Sequence, residues 1–233
     1  NAQLDNIIDA KDGFDIAALS TEYRSAAYTQ LSKIYLKEGN TDRATIYALK
    51  ATDYNRYNMD ALQMQALLYR LQNNKAKAEE TLQQILAVDT LNHFAGFEKY
   101  LWQASEENRK SFQGLIHNEL PQETYAELAI WYYNAGCKEE AAKVFALSPS
   151  SAEAIYWLAW LQHKPVDFNS INPVLSFPFR SETAMVIEQL MKTESNWLLK
   201  YQLALIYKDR NRIDECKQLL ASCNDEPSFA PFY

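Results

Sequence analysis

The chain has 233 residues, 48% apolar and 13% aromatic, enough to bury a sizeable core. Its formal charge is −7 with basic residues scattered, so it has neither the Lys/Arg stripe that neutralises nucleic-acid phosphates nor the basic patch that suits an anionic membrane. Only 5 Gly and 7 Pro interrupt the backbone, which favours long helices with short turns, and no run approaches the roughly 18 apolar residues that span a bilayer.

Asn1 opens the chain without Met or leader, and Phe229-Ala230-Pro231-Phe232-Tyr233 closes it, so the expectation is a piece of a longer protein. The cysteines are Cys137, Cys216 and Cys223, an odd number with no CxxC. Seven residues of helix between Cys216 and Cys223 would separate them by about 10 Å, too far for a disulfide. Unless the helix ends before Cys223, they read as thiols in small-residue packing slots.

In chain order, a first repeat is expected over about 25–58. Tyr28, Leu31, Ser32 and Tyr35 share one helix face, Gly39-Asn40 turns the chain, Thr41 or Asn40 caps the next helix, and Ala44, Ala48 and Ala51 line it. A second repeat, about 59–92, carries Leu62, Ala66 and Tyr69, an Asn73-Asn74 turn, then Ala78, Leu82 and Ile85. Asn replaces Gly there because it tolerates the left-handed conformation best after Gly. Tyr35 and Tyr69 stand 34 positions apart, as do Ala44 and Ala78. The region 93–121 is irregular, with one helix over Phe94–Gln103 and another capped at Ser105 that includes Phe112, Leu115 and Ile116. A clearer repeat, 122–150, opens at Pro121 and holds Tyr125, Leu128, Ala129, Tyr132, Gly136, Ala141 and Phe145. A helix from Ser151 to His163 follows, rich in Tyr156, Trp157 and Trp160. Pro165, Pro173 and Pro178 make Lys164–Phe179 a loop or loop with a short helix, before Ser181 caps a helix to Lys192. The last repeat, about 197–224, has Leu203, Ala204, Tyr207, an Asn211 turn and Cys216 in the small slot of Ala44, Ala78 and Ala141. The frame is interrupted twice, around Gly96–Pro121 and Pro165–Arg180, and those breaks are candidate places for specialised contacts.

This succession of aromatic, Leu-Ala/Ser, Tyr, Gly/Asn and Ala resembles the tetratricopeptide (TPR) repeat family, whose helix–turn–helix unit repeats every ~34 residues. Units centred on Tyr35, Tyr69, Tyr132 and Tyr207 match. Arg56 and Thr90 stand where the family usually has Pro. The resemblance implies an all-α, right-handed α-solenoid of TPR-like hairpins with irregular central units, one domain over 1–233. A narrower likeness runs from about Glu123 to Tyr233, carried by Glu123–Gly136, Phe177-Pro178-Phe179-Arg180 and Asp225–Tyr233. It is to the C-terminal TPR region of large bacterial proteins whose N-terminal domain, of unknown function, is similar to carbohydrate-associated β-sandwiches. The compartment stays open between bacterial cytoplasm and periplasm.

By that resemblance, the first helix of each repeat lines a concave groove. Its lining would be Lys33, Leu36 and Lys37, then Gln63, Leu67 and Arg70, then Glu127, Ile130 and Tyr133, then Tyr201, Leu205 and Lys208. Thr29, Met64 and Glu127 stand where some members carry a carboxylate clamp, so that clamp is not expected. A mixed groove suits an extended peptide, a helix or a neighbouring domain of the same chain. His93, His117 and His163 share no ligand spacing, and HExxH, P-loop, GxSxG and GxGxxG motifs are missing. Glu79-Glu80, Glu106-Glu107 and Glu139-Glu140 read as early-turn residues favouring the helix dipole. The expectation is therefore a non-catalytic interaction or scaffold module, without metal or cofactor. The alternative is an accessory module of a carbohydrate-processing protein, resting on the narrower likeness and the tryptophans. Tyr156, Trp157 and Trp160 have helical core spacing, and Phe177–Arg180 and Phe229–Phe232 are expected as loops pinned by aromatic plugs.

Overall fold

The computed structural model describes residues 6–224. The chain clusters into two compact units: the first runs to His117 and takes in Asn134–Gly136, and the second holds Asn118–Tyr133 and the chain from Cys137 on. Regular structure among the described residues is helical throughout. Unit 1 contains α1 (Ile7–Ala17), α2 (Arg24–Lys37), α3 (Thr41–Tyr54), α4 (Met59–Leu71), α5 (Lys75–Val88), α6 (His93–Trp102) and α7 (Glu106–Gln113). Then come α8 (Pro121–Asn134), α9 (Lys138–Leu147), α10 (Ala152–Gln162), α11 (Ser181–Leu190), α12 (Trp197–Asp209) and α13 (Ile213–Ala221).

The four units read from the sequence share one turn. The carbonyls of Tyr35, Tyr69, Tyr132 and Tyr207 accept from the N–H groups of Asn40, Asn74, Cys137 and Arg212 at 2.8, 2.8, 2.9 and 2.8 Å. This bond, closing five residues on, forms only if the residue before its donor is left-handed. Gly39, Asn73, Gly136 and Asn211 hold those positions, with φ of 78°, 57°, 91° and 59°. Gly and Asn are the residues that reach this region at least cost, so they are the residues the chain uses there.

The next helix begins at once. Asn40 and Asn74 accept side-chain bonds from the N–H groups of Arg43 and Lys77 (3.1 and 3.3 Å). Small residues then let α2 and α3 approach. Ala44, Ala48 and Ala51 are fully buried, and the hydroxyls of Ser32 and Ser25 donate to the carbonyls of Ala44 and Ala51, both at 2.8 Å. Two turns forward along α2 correspond to two turns back along α3, which fixes an antiparallel register.

The link from one hairpin to the next explains the missing proline. Asn55 and Asp89 accept with their side chains from the N–H groups of Tyr57 and Leu91, both at 3.1 Å. These Asx turns set the chain direction that Pro would otherwise preset. Three residues further on, Asn58 and Asn92 cap α4 and α6. Asn58 also donates to the hydroxyls of Ser25 (2.8 Å) and Thr29 (3.1 Å), tying the first repeat to the second.

The irregular region is held by bulk instead of small residues. α7 stops at Gln113, so Leu115 and Ile116 lie beyond the helix expected to contain them. Phe112 is buried against Phe97 with ring centroids 5.3 Å apart. A Cβ on Gly96 would come within 2.5 Å of Leu115 Cδ1, so Gly96 lets the segment after α7 cross α6. Between α10 and α11 the chain makes two single 3-10 turns, Phe168–Ser170 and Pro173–Leu175, opened by the side chains of Asp167 and Asn172. α11 starts at Ser181 with Arg180 as its N-cap residue and no side-chain cap bond, so Ser181 is not the cap the sequence suggested. α13 ends at Ala221, so Cys223 lies past its end; all three cysteines are buried and none is in a disulfide. The sequence reading passed over α1 entirely.

Asn58→Ala removes a helix cap and two bonds to the preceding repeat, whereas Asn40→Ala removes a cap alone. Expected losses in urea unfolding are about 2 and about 1 kcal/mol respectively. Equal losses would show that the ties to Ser25 and Thr29 do not couple the repeats.

Candidate functional site

In unit 1 the first helices carry their charges towards each other. Lys33 Nζ on α2 lies 2.7 Å from Asp60 on α4, and Arg70 Nε on α4 lies 2.6 Å from Glu98 on α6. Glu98 is fully buried, and Arg70 supplies a compensating charge to its carboxylate. Lys33 and Arg70, expected as groove-lining contacts, therefore bind successive first helices together. Gln63 and Leu36 are half-buried and Lys37 is exposed. Leu67 is fully buried and has no surface to present to a partner.

Unit 2 treats its candidates similarly. Ile130 and Tyr201 are buried, because α8 and α12 turn these apolar positions into the core. Tyr133 meets Trp157 and Trp160 edge-on at 5.0 and 5.6 Å. Leu205 is half-buried, while Glu127 and Lys208 are exposed. Trp157 itself is fully buried and stacks on Phe145 at 5.4 Å, with no open ring face for a pyranose. Tyr156 is equally buried, and its phenol is pushed far up by desolvation.

The most elaborate polar arrangement lies where the sequence suggested an aromatic plug. Arg180 Nη1 contacts Glu123 Oε2 at 2.6 Å and Glu153 Oε2 at 3.0 Å. Arg180 Nη2 donates to the Glu123 carbonyl at 3.4 Å. The Thr183 hydroxyl donates to the other Glu153 oxygen, and Trp157 Nε1 donates to Thr183 Oγ1 at 3.0 Å. The loop is thus pinned by Arg180 and buried Pro178, while Phe177 and Phe179 are exposed; the Arg180 guanidinium lies 4.4 Å from the Phe179 ring centroid. Phe229–Phe232 lies outside the described residues.

Sequence reasoning missed Asp60, Glu98, Glu123 and Glu153 as partners. The faint signal available was a basic residue paired with an acidic one 27 or 28 places away, seen for Lys33/Asp60, Arg70/Glu98 and Arg180/Glu153. His93 Nε2 lies 3.4 Å from the Leu115 carbonyl, and His163 takes the left-handed position ending α10. Among the described residues no group of three or more His, Cys, Asp and Glu could hold a metal. No helix there is long and apolar enough to cross a membrane.

No family model and no curated protein matches the chain. Among solved structures it is similar to Pseudomonas aeruginosa pilF, with 17% identity over 94% of this chain and 96% of that one and a TM-score of 0.40. A tetratricopeptide repeat protein from Parabacteroides merdae matches at 15% identity over 95% and 89% of the two chains, with a TM-score of 0.41. The TPR domain of P58(IPK) matches at 15% identity over 95% and 60%, with a TM-score of 0.29.

Burial raises the Glu153 carboxyl above the usual glutamate range, against the lowering pull of Arg180 and the Thr183 hydroxyl. The folded protein then holds this proton more tightly than the unfolded chain. Glu153 therefore lowers stability as pH rises from the unfolded glutamate value through its own raised value. Glu153→Gln should flatten that part of the stability–pH profile, and parallel profiles would refute the assignment. Arg180→Met, which strands a buried carboxylate, should cost about 3 kcal/mol, with part recovered in the double variant with Glu153→Gln.

Proposed function

We propose that the chain is a non-catalytic helical-repeat interaction module that holds a peptide, or a neighbouring domain of its own polypeptide, on the exposed side of its first helices. The observation that carries this reading is the hairpin turn repeated at Tyr35 and Tyr69 in unit 1 and at Tyr132 and Tyr207 in unit 2, which gives each unit preformed helix-pair surfaces. Ion pairs between the first helices of unit 1 support it by keeping those surfaces in place without a ligand. Pre-organisation of this kind lowers the ordering cost of binding.

The contact residues in this proposal are the candidates that keep surface: Lys37 and Gln63 in unit 1, and Glu127, Leu205 and Lys208 in unit 2. Lys33, Arg70 and Tyr133 act as the frame around them. On each unit taken by itself, an exposed lysine offers a contact to a segment that carries a carboxylate.

Peptides selected by display against the purified chain test the proposal. Binding should weaken about tenfold, ~1.4 kcal/mol, on Lys37→Glu or Lys208→Glu, with the helical circular dichroism unchanged. Selected peptides indifferent to both substitutions and to Gln63→Ala would place recognition elsewhere.

A further inference from the structure

Three of the four hairpin turns lie open, and the other does not. In the turns after Tyr35, Tyr69 and Tyr207, the residue before the left-handed position is Glu38, Gln72 or Arg210. Each is a long polar side chain exposed to solvent. In the turn after Tyr132 that residue is Ala135, which has no exposed surface. Turns run over protein surfaces because their backbone groups need water, so a buried one rests on something. The chain enters unit 1 here for three residues, Asn134–Gly136, between two stretches that belong to unit 2.

Gly136 shows what the turn rests on. A Cβ there would stand 3.0 Å from Lys37 Cγ and 3.3 Å from Lys37 Cα, closer than Cβ atoms ordinarily sit. Lys37 is the last residue of α2 and belongs to unit 1, as Gly136 does. At Gly39, the same position in the first turn, a Cβ would meet nothing within 4 Å among the described residues. The left-handed conformation does not by itself call for glycine, since Asn73 and Asn211 adopt it with φ of 57° and 59°. Gly136 therefore answers two demands, a positive φ and the close approach of α2, where Gly39 answers one. Ala135 and Gly136 together bring backbone, without long side chains, against the end of that helix.

We infer that the end of α2 at Lys37 is a docking surface within unit 1 whose resting occupant is the chain's own Asn134–Gly136 turn, and that a partner binding at Lys37 competes with this turn. The small residues separate a seated turn from an accidental touch: Glu38, Gln72 and Arg210 show that the turn closes equally well around a long side chain. Lys37 is exposed overall, so the turn narrows access to it without sealing it. A partner's apparent affinity is then reduced by the fraction of molecules in which the turn is lifted. The competition rests on the proposed role of Lys37 as a contact residue, whereas the seating of the turn does not.

Trapping tests the seating. A Cβ at position 136 would be 3.7 Å from Lys37 Cβ, within the range that a disulfide spans. The chain with Lys37→Cys and Gly136→Cys, and with Cys137→Ser to remove the neighbouring thiol, should close that bond under oxidised glutathione, read by peptide mapping. A variant that keeps its helical circular dichroism and stays reduced overturns the inference. Ala135→Gln with Gly136→Asn writes the Gln72-Asn73 pair of the second turn into this one, so the turn still closes but no longer fits against α2. Amide exchange over residues 36–40 should quicken at least roughly fivefold, while the Cys137 amide, which donates to the Tyr132 carbonyl, stays protected. Unchanged exchange at the end of α2 overturns the seating. Peptides selected for dependence on Lys37 should bind this variant about tenfold more tightly than the original chain. They should fail to bind the disulfide-closed chain until it is reduced. Equal affinity for the variant and the original overturns the competition. Selected peptides that all ignore Lys37 would refute the proposed contact residue and the competition with it, while the disulfide and the exchange rates still decide the seating.

Discussion

The structure depends on a single backbone bond made four times, from an N–H back to the carbonyl of a tyrosine five residues earlier. The bond closes only when one residue accepts a left-handed conformation, which costs a β-carbon-bearing residue roughly 1–2 kcal/mol and glycine almost nothing. At the four tyrosines the second helix begins at once, so the two helices run antiparallel as a hairpin. The same bond from Lys164 to the Ala159 carbonyl, with His163 left-handed, ends α10 but leads into a loop. The small residues at Ala44, Ala78, Ala141 and Cys216 then decide how closely the two helices approach, and every one of them is buried. Local geometry thus precedes packing in the chain of causes.

Charges are spent within the fold before any reach a partner. Lys33 and Arg70 look like recognition residues on a helical wheel, yet each meets a carboxylate of the next first helix. The two pairs are not equivalent. Asp60 keeps a side-chain exposure of 36% against 12% for Lys33, so solvent screens this pair in part. Glu98 has a side-chain exposure of 1%, so the loss of Arg70 would take a compensating charge from a desolvated carboxylate.

The turns, caps and small slots were legible in the sequence because each rests on chemistry local to a few residues. Gly39, Asn73, Gly136 and Asn211 announce a left-handed residue, and Asn40, with Thr41 as the alternative, a cap. Arg56 and Thr90 looked like departures from the repeat, but the neighbouring Asn55 and Asp89 make the turn with their side chains. α1 was passed over because its marker, Asn6 in frame with Asn40, was obscured by Ile8, Ile16 and Leu19, where α3 has Asp42, Lys50 and Asp53. The ion pairs were illegible for a different reason. They join residues 27 or 28 apart, or 57 apart for Glu123 and Arg180, and only the stacking of hairpins brings those together. The burial of Leu67, Ile130 and Tyr201 likewise turns on which side of a first helix its neighbours cover.

The Arg180 network shows what a buried charge cluster can and cannot be for. Replacing such a cluster with apolar residues of similar volume is often neutral or stabilising, so its presence is poor grounds for extra stability. Its geometry is specific, however. One guanidinium meets carboxylates from α8 and α10 while sitting one residue before α11, and Thr183 in the first turn of α11 completes the link to Glu153 and Trp157. A loop holding Pro165, Pro173 and Pro178 has few backbone bonds of its own with which to choose where it rejoins the helices. Arg180 makes that choice by meeting both carboxylates at once. The exposed rings of Phe177 and Phe179 follow from it: with the arginine turned inward and Pro178 buried, the residues alternating with them must face outward.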